Sequence, residues 1–213
     1  MNTDDLIKAM VADNATVKPP VSRTVSLGVF AGVAVTAAVF FWLLHVRSDF
    51  SYAITHEPRF IFKFVFVFAL CIPALLLVQR LSRPDGEIGL PLKVLLLAPL
   101  LLAAAVLLEM NVIPAEYWSV SALGTMPVPC MKYIPILSIA PLLAGLFVMR
   151  QGATSNPTLA GAAVGLLAAA IGATFYASFC VDDSPMFLAI WYIGGISIVV
   201  ALGALIGSRF LRW

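Results

Sequence analysis

The sequence predicts an all-α membrane protein: a bundle of six transmembrane helices preceded by a short amphipathic N-terminal helix. Hydrophobic residues make up 62% of its 213 residues. They are concentrated in six long runs, each near the length needed to cross hydrocarbon. The connections are short, except for the stretch from Glu109 to Lys132, so we expect no second folded domain.

Each predicted span is one of these apolar runs. The runs are Val25–Val46, Ile61–Val78, Leu90–Leu108, Tyr133–Met149, Thr158–Phe179 and Met186–Gly207. A polar, acidic segment precedes the first run, which is also too long for a cleavable signal, so we expect it to stay as an anchor. The chain therefore divides into an N-terminal segment, residues 1–20, and a six-span domain, residues 21–213.

Basic residues near the span ends predict the orientation. On the side of the N-terminus they are Lys8, Lys18, Arg23, Arg80, Arg83, Lys93, Arg150, Arg209 and Arg212; on the opposite side they are Arg47, Arg59, Lys63 and Lys132. Because basic residues favour the cytoplasmic side, both termini are expected in the cytoplasm. The net charge of +2 is spread over both faces and forms no basic stripe, which excludes direct binding of nucleic acid.

The interior of the spans does not resemble a transport pathway, because no run carries an ionisable residue near its middle. Lys63 and Lys93 lie close to span entry points, where we expect their long stems to snorkel to the interface.

Three pairs of glycines are spaced four residues apart: Gly28 with Gly32, Gly161 with Gly165, and Gly203 with Gly207. This spacing lets two helix backbones approach closely. We expect packing within the bundle, with dimerisation as the alternative.

Two cysteines lie at the outer ends of the fourth and fifth spans, away from the turn that joins these spans. Cys130 lies just before the fourth span and Cys180 just after the fifth, so both thiols are expected on the periplasmic face. A structural disulfide, two unpaired thiols and a thiolate site for a soft metal ion all remain open. The spacing of the other potential ligands on this face matches no zinc motif; they are His45, His56, Glu109, Glu116, Asp182 and Asp183. Cys71, inside the second span, is expected to pack as a small apolar residue.

Aromatic side chains also gather near this outer face. They are Tyr117, Trp118, Tyr133, Tyr176, Trp191 and Tyr192. Most are expected to form an interfacial belt, with a small pocket around the cysteines as the alternative.

The N-terminal segment has the pattern of a short helix. Thr3 is a candidate cap, and Asp4 and Asp5 then suit the positive end of the helix dipole. One face of this helix is apolar and contains Leu6, Ile7, Met10 and Val11. The helix should end near Ala12, before Asp13. So short a helix needs a partner or the membrane to cover it. Its acidic polar face favours a protein partner over a lipid surface.

The whole chain resembles the NrsF-like family of bacterial membrane-bound anti-sigma factors. The residues that carry the resemblance are Thr3, Asp4, Asp5, Leu6 and Ile7, followed by Met10 and Asp13, together with the six spans and the pair Cys130 and Cys180.

The resemblance implies that the protein lies in the bacterial inner membrane, surrounded by lipid, with its N-terminus holding an extracytoplasmic-function sigma factor inactive. Oxidation of the periplasmic cysteines, or a metal ion at them, would release the sigma factor. Leu6, Ile7 and Met10 would enter a groove on that partner, while Asp4, Asp5 and Asp13 would face its basic surface. Thr3 belongs to the same binding segment. On this interpretation the protein is not an enzyme, and none of its residues is catalytic. The competing reading is a membrane thiol-disulfide oxidoreductase using the outer cysteine pair, although the C-x-x-C motif common in such enzymes is missing.

Overall fold

The computed structural model describes residues 3–5, 21–83, 86, 88–152 and 154–212. Over these ranges the chain contains helices and no strands, which confirms the predicted all-α class. Six stretches within them are long and apolar enough to cross a membrane, which confirms the six spans. In chain order they are Thr24–Leu43, Pro58–Leu81, Gly89–Val112, Ala115–Met149, Pro157–Ala177 and Pro185–Phe210.

Several of these spans contain more than one helical element. The helices are Val21–Leu43, Phe50–His56, Pro58–Leu81, Gly89–Leu95, Leu97–Val112, Trp118–Leu123, Pro127–Met149, Pro157–Ala177, Pro185–Phe187 and Ile193–Phe210. A 3₁₀ turn at Ala115–Tyr117 precedes Trp118–Leu123, and a π-helical turn at Leu188–Tyr192 lies inside the sixth span. Residues 44–57 and 178–184 connect spans at one end of the bundle, and the same end contains residues 113–126, which lead from the third span into the helix Pro127–Met149 and include the first part of the fourth span. We call this the distal end; the described six-span domain begins at Val21 and ends at Arg212 at the opposite, proximal end.

The third span is interrupted and lies at the edge of the bundle. Its helix breaks at Leu96, where the sequence predicted one continuous run. Pro99 lies four residues after Leu95 and has no N–H to donate to its carbonyl, which accounts for the break. Only 17% of its most apolar stretch is buried, so most of this span is exposed on the outside of the bundle.

The fifth span forms the centre of the bundle. It packs against the second, fourth and sixth spans, and 67% of its most apolar stretch is buried. A Cβ added to Gly161 would lie 2.2 Å from the carbonyl oxygen of Gly203, and one added to Gly203 would lie 2.5 Å from that of Gly161. The two backbones touch here because neither residue has a side chain, a contact typical of small residues in membrane helices.

The first span packs mainly against the fourth. A Cβ on Gly32 would lie 2.7 Å from the Cα of Pro141. One turn further, the buried Thr36 Oγ1 donates a 3.0 Å hydrogen bond to the carbonyl oxygen of Leu137. Together with the contacts of Gly161 and Gly203, these approaches confirm that the paired glycines pack within the bundle.

Candidate functional site

The two outer cysteines meet at the distal end of the bundle. Cys130 lies in the first turn of the helix Pro127–Met149, and Cys180 lies three residues after the helix Pro157–Ala177. Both side chains are fully buried and both are free thiols. They are near enough to interact electrostatically.

The sulfur of Cys180 lies in a strongly desolvated environment. Burial raises the pKa of the Cys180 thiol, and the nearby cation of Lys63 acts in the opposite direction. The backbone N–H of Cys180 donates to the carbonyl of Tyr176 at 2.9 Å, so the chain leaves the fifth span in a tight turn. A thiol in such a place reacts slowly until something stabilises its thiolate.

Residues Cys180–Ser184, which we call the cysteine loop, are bound by the ends of four other spans. The first of these contacts comes from the second span. Lys63 Nζ donates a 2.9 Å hydrogen bond to the carbonyl oxygen of Cys180 and forms an ion pair with the Asp183 carboxylate. Lys63 is fully buried, so the expectation that it snorkels to the interface is wrong. Its ammonium group is instead stabilised by a carboxylate and a carbonyl inside the protein.

Arg47 connects the loop to the end of the first span. Its Nη1 binds Asp183 Oδ2 at 2.8 Å, and its backbone N–H donates to the carbonyl of Ser178 at 3.1 Å. Its Nε and Nη2 bind the two carboxylate oxygens of Asp49, each at 2.6 Å. These hydrogen bonds from Arg47 hold the pKa of the Asp49 carboxyl down to about 2, and the same contacts raise the pKa of Arg47.

Asp182 connects the loop to the start of the fourth-span helix. Its carboxylate accepts hydrogen bonds from the backbone N–H of Thr125 at 2.9 Å and of Met126 at 2.8 Å, as well as from the Thr125 hydroxyl. A negative charge at the N-terminus of a helix is favourable because the helix dipole is positive there. Cys130 lies four residues further along, so Asp182 fixes both cysteines relative to each other.

Glu109 connects the loop to the end of the third span. Its Oε2 accepts hydrogen bonds from Ser184 Oγ at 2.8 Å and from the backbone N–H of Met186 at 3.1 Å. Its Oε1 lies 3.4 Å from Arg59 Nη2. The buried carboxylate therefore anchors the point where the sixth span begins.

Two of the aromatic residues lie near enough to the cysteine pair to interact with it electrostatically. Tyr176 and Tyr192 are fully buried, with ring centroids 5.8 Å apart, so the expected interfacial belt is wrong for these two residues. Tyr192 ends the π-helical turn Leu188–Tyr192, a type of turn frequently found at functional sites. In contrast, Tyr117 is 54% exposed, as a belt residue would be.

A metal ion bound by the two cysteines would need further ligands from nearby side chains if its coordination were to be completed by the protein. Over the part of the chain that the structure describes, no group of three or more His, Cys, Asp or Glu side chains is arranged to hold a metal ion. Asp182, Asp183 and Glu109 are instead engaged with N–H and O–H donors or with cations.

The N-terminal segment is described only at Thr3, Asp4 and Asp5, which are helical and exposed. Thr3 already belongs to the helix, whereas the sequence placed it as the cap before it. The other predicted binding residues lie outside the described residues; they are Leu6, Ile7, Met10 and Asp13.

Comparison with known proteins identifies the family. The sequence model of the family described as negative regulator of sigma F, NrsF, matches residues 10–213. The chain is 34% identical to a protein of Azospira oryzae named probable anti-sigma-F factor NrsF, and 32% identical to the anti-sigma-F factor NrsF of Caulobacter vibrioides. Both similarities cover all of this chain and all of the relative. No solved structure is significantly similar. The chain thus belongs to the NrsF family of negative regulators of sigma F.

Proposed function

We propose that this protein is an anti-sigma factor that holds a sigma factor at the bacterial inner membrane through residues 1–20. The observation that carries the proposal is the full-length similarity to two anti-sigma-F factors. The resemblance noted from the sequence suggests a partner of the extracytoplasmic-function type. In this role the protein is a regulator and not an enzyme.

The N-terminal segment is the part proposed to bind the sigma factor. Its exposed helical residues Thr3–Asp5 begin a pattern with an apolar face and an acidic face. An apolar helix face that inserts into a groove gives affinity, and flanking carboxylates favour a basic partner surface. The basic residues at the proximal span ends support placing this segment in the cytoplasm.

Release is proposed to begin at Cys130 and Cys180 in the periplasm. We take oxidation as the signal, because two neighbouring thiols are the reactants of a disulfide. In this step a hydroperoxide accepts two electrons from the two thiols: its O–O bond breaks, one S–S bond forms, and an alcohol and a water leave. Disulfides are favoured in that compartment.

The cysteine loop supports a route across the membrane. A bond between the sulfurs would pull on the loop, whose Asp183 is held by Arg47 at the end of the first span. That span continues directly into the N-terminal segment at its other end. Signalling then requires two arrangements of the bundle, biased by the state of the cysteines, that present the segment differently.

Co-purification tests sequestration. The full-length protein, a form lacking residues 1–14, and the variants Leu6→Asp and Ala9→Asp are each captured from the membrane together with the sigma factors of the host. Only the full-length protein and Ala9→Asp, whose new charge lies off the apolar face, are expected to retain a sigma factor. Capture by the truncated form, or equal capture by Leu6→Asp, would exclude the segment as the binding site.

A further inference from the structure

The buried hydroxyl groups of Tyr176 and Tyr192 make no well-formed hydrogen bond within the described residues. Within the described part of the chain neither has a hydrogen-bond partner of good geometry, and both side chains are fully buried. A buried, unpaired hydroxyl is costly, at about 1–3 kcal/mol. Such groups usually have a partner, so the pair calls for an explanation.

Both hydroxyls lie in the neighbourhood of the Cys130 and Cys180 sulfurs. The Tyr176 hydroxyl lies beside the sulfur of Cys180, and both tyrosines interact electrostatically with Cys180 and Cys130. The other charged groups that act on these sulfurs are Lys63 and Asp182, and Asp183 acts on Tyr192. The aspartates are already bound to other donors and Lys63 is bound to Asp183. Among the described residues that interact with the two sulfurs, the hydroxyls of Tyr176 and Tyr192 are thus donors that no other well-formed hydrogen bond occupies.

We propose that Tyr176 and Tyr192 are positioning residues that donate hydrogen bonds to the thiolate of the cysteine pair and so determine how readily the pair reacts. A thiol sulfur is a weak acceptor, whereas a thiolate carries a full negative charge and accepts strong hydrogen bonds. Loss of the thiol proton therefore gives a strong acceptor to two hydroxyls that make no well-formed hydrogen bond within the described part of the chain. This inference rests on the proposed role of the cysteines as sensors.

The chemistry requires the thiolate. The thiolate attacks one oxygen of a hydroperoxide, an S–O bond forms, the O–O bond breaks, and the departing alkoxide or hydroxide takes up a proton. The sulfur is oxidised by two electrons and the peroxide is reduced. Attack by the second cysteine on that sulfur then forms the S–S bond and releases water. Donors that stabilise the thiolate raise the fraction able to begin this sequence.

The test uses the purified full-length protein in detergent, without a sigma factor. Hydrogen peroxide is the probe, and mass spectrometry follows the oxidation of each cysteine from neutral to strongly alkaline pH. Tyr176→Phe and Tyr192→Phe are each expected to slow oxidation of the pair roughly tenfold at neutral pH, the effect of losing one hydrogen bond to a charged group. Their rate profiles should move to higher pH, while the thermal midpoint stays equal or rises because an unpaired hydroxyl has been removed.

Two controls accompany these variants. Tyr133→Phe alters a half-buried tyrosine whose ring stacks on that of Tyr176, with 6.4 Å between the ring centroids. This variant should leave the dependence of the oxidation rate on pH unchanged. Cys71, a half-buried thiol in the second span, serves as an internal reference for access of the peroxide. Unchanged profiles in both phenylalanine variants, or a wild-type rate that does not rise with pH, would overturn the inference. Because no sigma factor is present, the outcome is independent of whether the cysteines control release in the cell.

Discussion

Arg47 and Asp183 are 136 residues apart in the sequence, and their side chains bind each other at 2.8 Å at the distal end of the bundle. Their side chains are only 8% and 14% exposed. Asp183 also binds the buried Lys63, so one carboxylate neutralises cations from the first and second spans. The loop that holds Cys180 is thereby fixed to both.

Removing that carboxylate should destabilise the protein strongly. Asp183→Asn leaves Lys63 buried without a counter-charge, which costs on the order of 3 kcal/mol. We expect the thermal midpoint in detergent to fall by roughly 6–12 °C, since about 2–4 °C per kcal/mol is typical for a chain of this size. Asp49→Asn is the matched control: it removes the exposed partner of Arg47 and should change the midpoint little.

A second substitution distinguishes the ion pair from general damage. Lys63→Met combined with Asp183→Asn removes the unpaired charge, so the double variant should be more stable than Asp183→Asn alone. The thermal midpoints of Lys63→Met, Asp183→Asn and the double variant together give the energetic coupling between the two side chains. Strictly additive losses would show that Lys63 and Asp183 do not stabilise each other.

The sequence predicts this protein's spans better than its distal contacts. Apolar runs and the spacing of Gly161, Gly165, Gly203 and Gly207 are local patterns, and both the spans and the glycine packing follow from them. The partner of Lys63 is set by the rotation and tilt of two helices that are far apart in the chain, which no local pattern contains. A signal was nevertheless present: Arg47, Lys63 and Glu109 lie near the distal ends of the first three spans, and two aspartates follow Cys180.

The inward position of Tyr192 has a similar origin. Tyr192 is the last residue of the π-helical turn Leu188–Tyr192, in which the spacing of side chains around the helix departs from that of a regular α-helix. An analysis based on regular helical spacing therefore could not separate Tyr192 from the exposed aromatic residues near it. The state of the N-terminal segment beyond Asp5 stays a prediction from its sequence pattern.

The Arg47 and Asp49 contact should depend on pH only in strong acid. The pKa of Asp49 is lowered from its ordinary value of 3.8 to about 2, chiefly by its hydrogen bonds with Arg47. A lowered carboxyl pKa contributes stability above pH 3.8 that is lost as the pH falls toward 2. The small midpoint difference between wild type and Asp49→Asn should therefore be constant from neutral pH to about 4 and disappear near 2. A difference that already changes between pH 5 and 7 would contradict the assignment.

The contact between the fifth and sixth spans should tolerate no added atoms. Gly203→Ala places a Cβ 2.5 Å from the carbonyl oxygen of Gly161, so the two backbones must separate. Overpacking of this kind typically costs about 1–3 kcal/mol, and thermal unfolding in detergent should show a lower midpoint. Gly89→Ala is the control, because a Cβ there meets nothing within 4 Å. Equal midpoints for the two variants would mean that the spans do not approach this closely.

The cysteine pair should be required for release but not for capture. Serine keeps the volume of the side chain nearly unchanged but cannot form a disulfide. The double variant Cys130→Ser with Cys180→Ser should therefore still bind the sigma factor, but it should no longer release it in response to a hydroperoxide. A reporter driven by the sigma factor measures the response, and co-purification measures capture. Cys71→Ser should respond normally, since that thiol lies inside the second span and away from the pair. A normal response in the double variant would return Cys130 and Cys180 to a purely structural role, because the buried loop would then stabilise the bundle without reporting on oxidants.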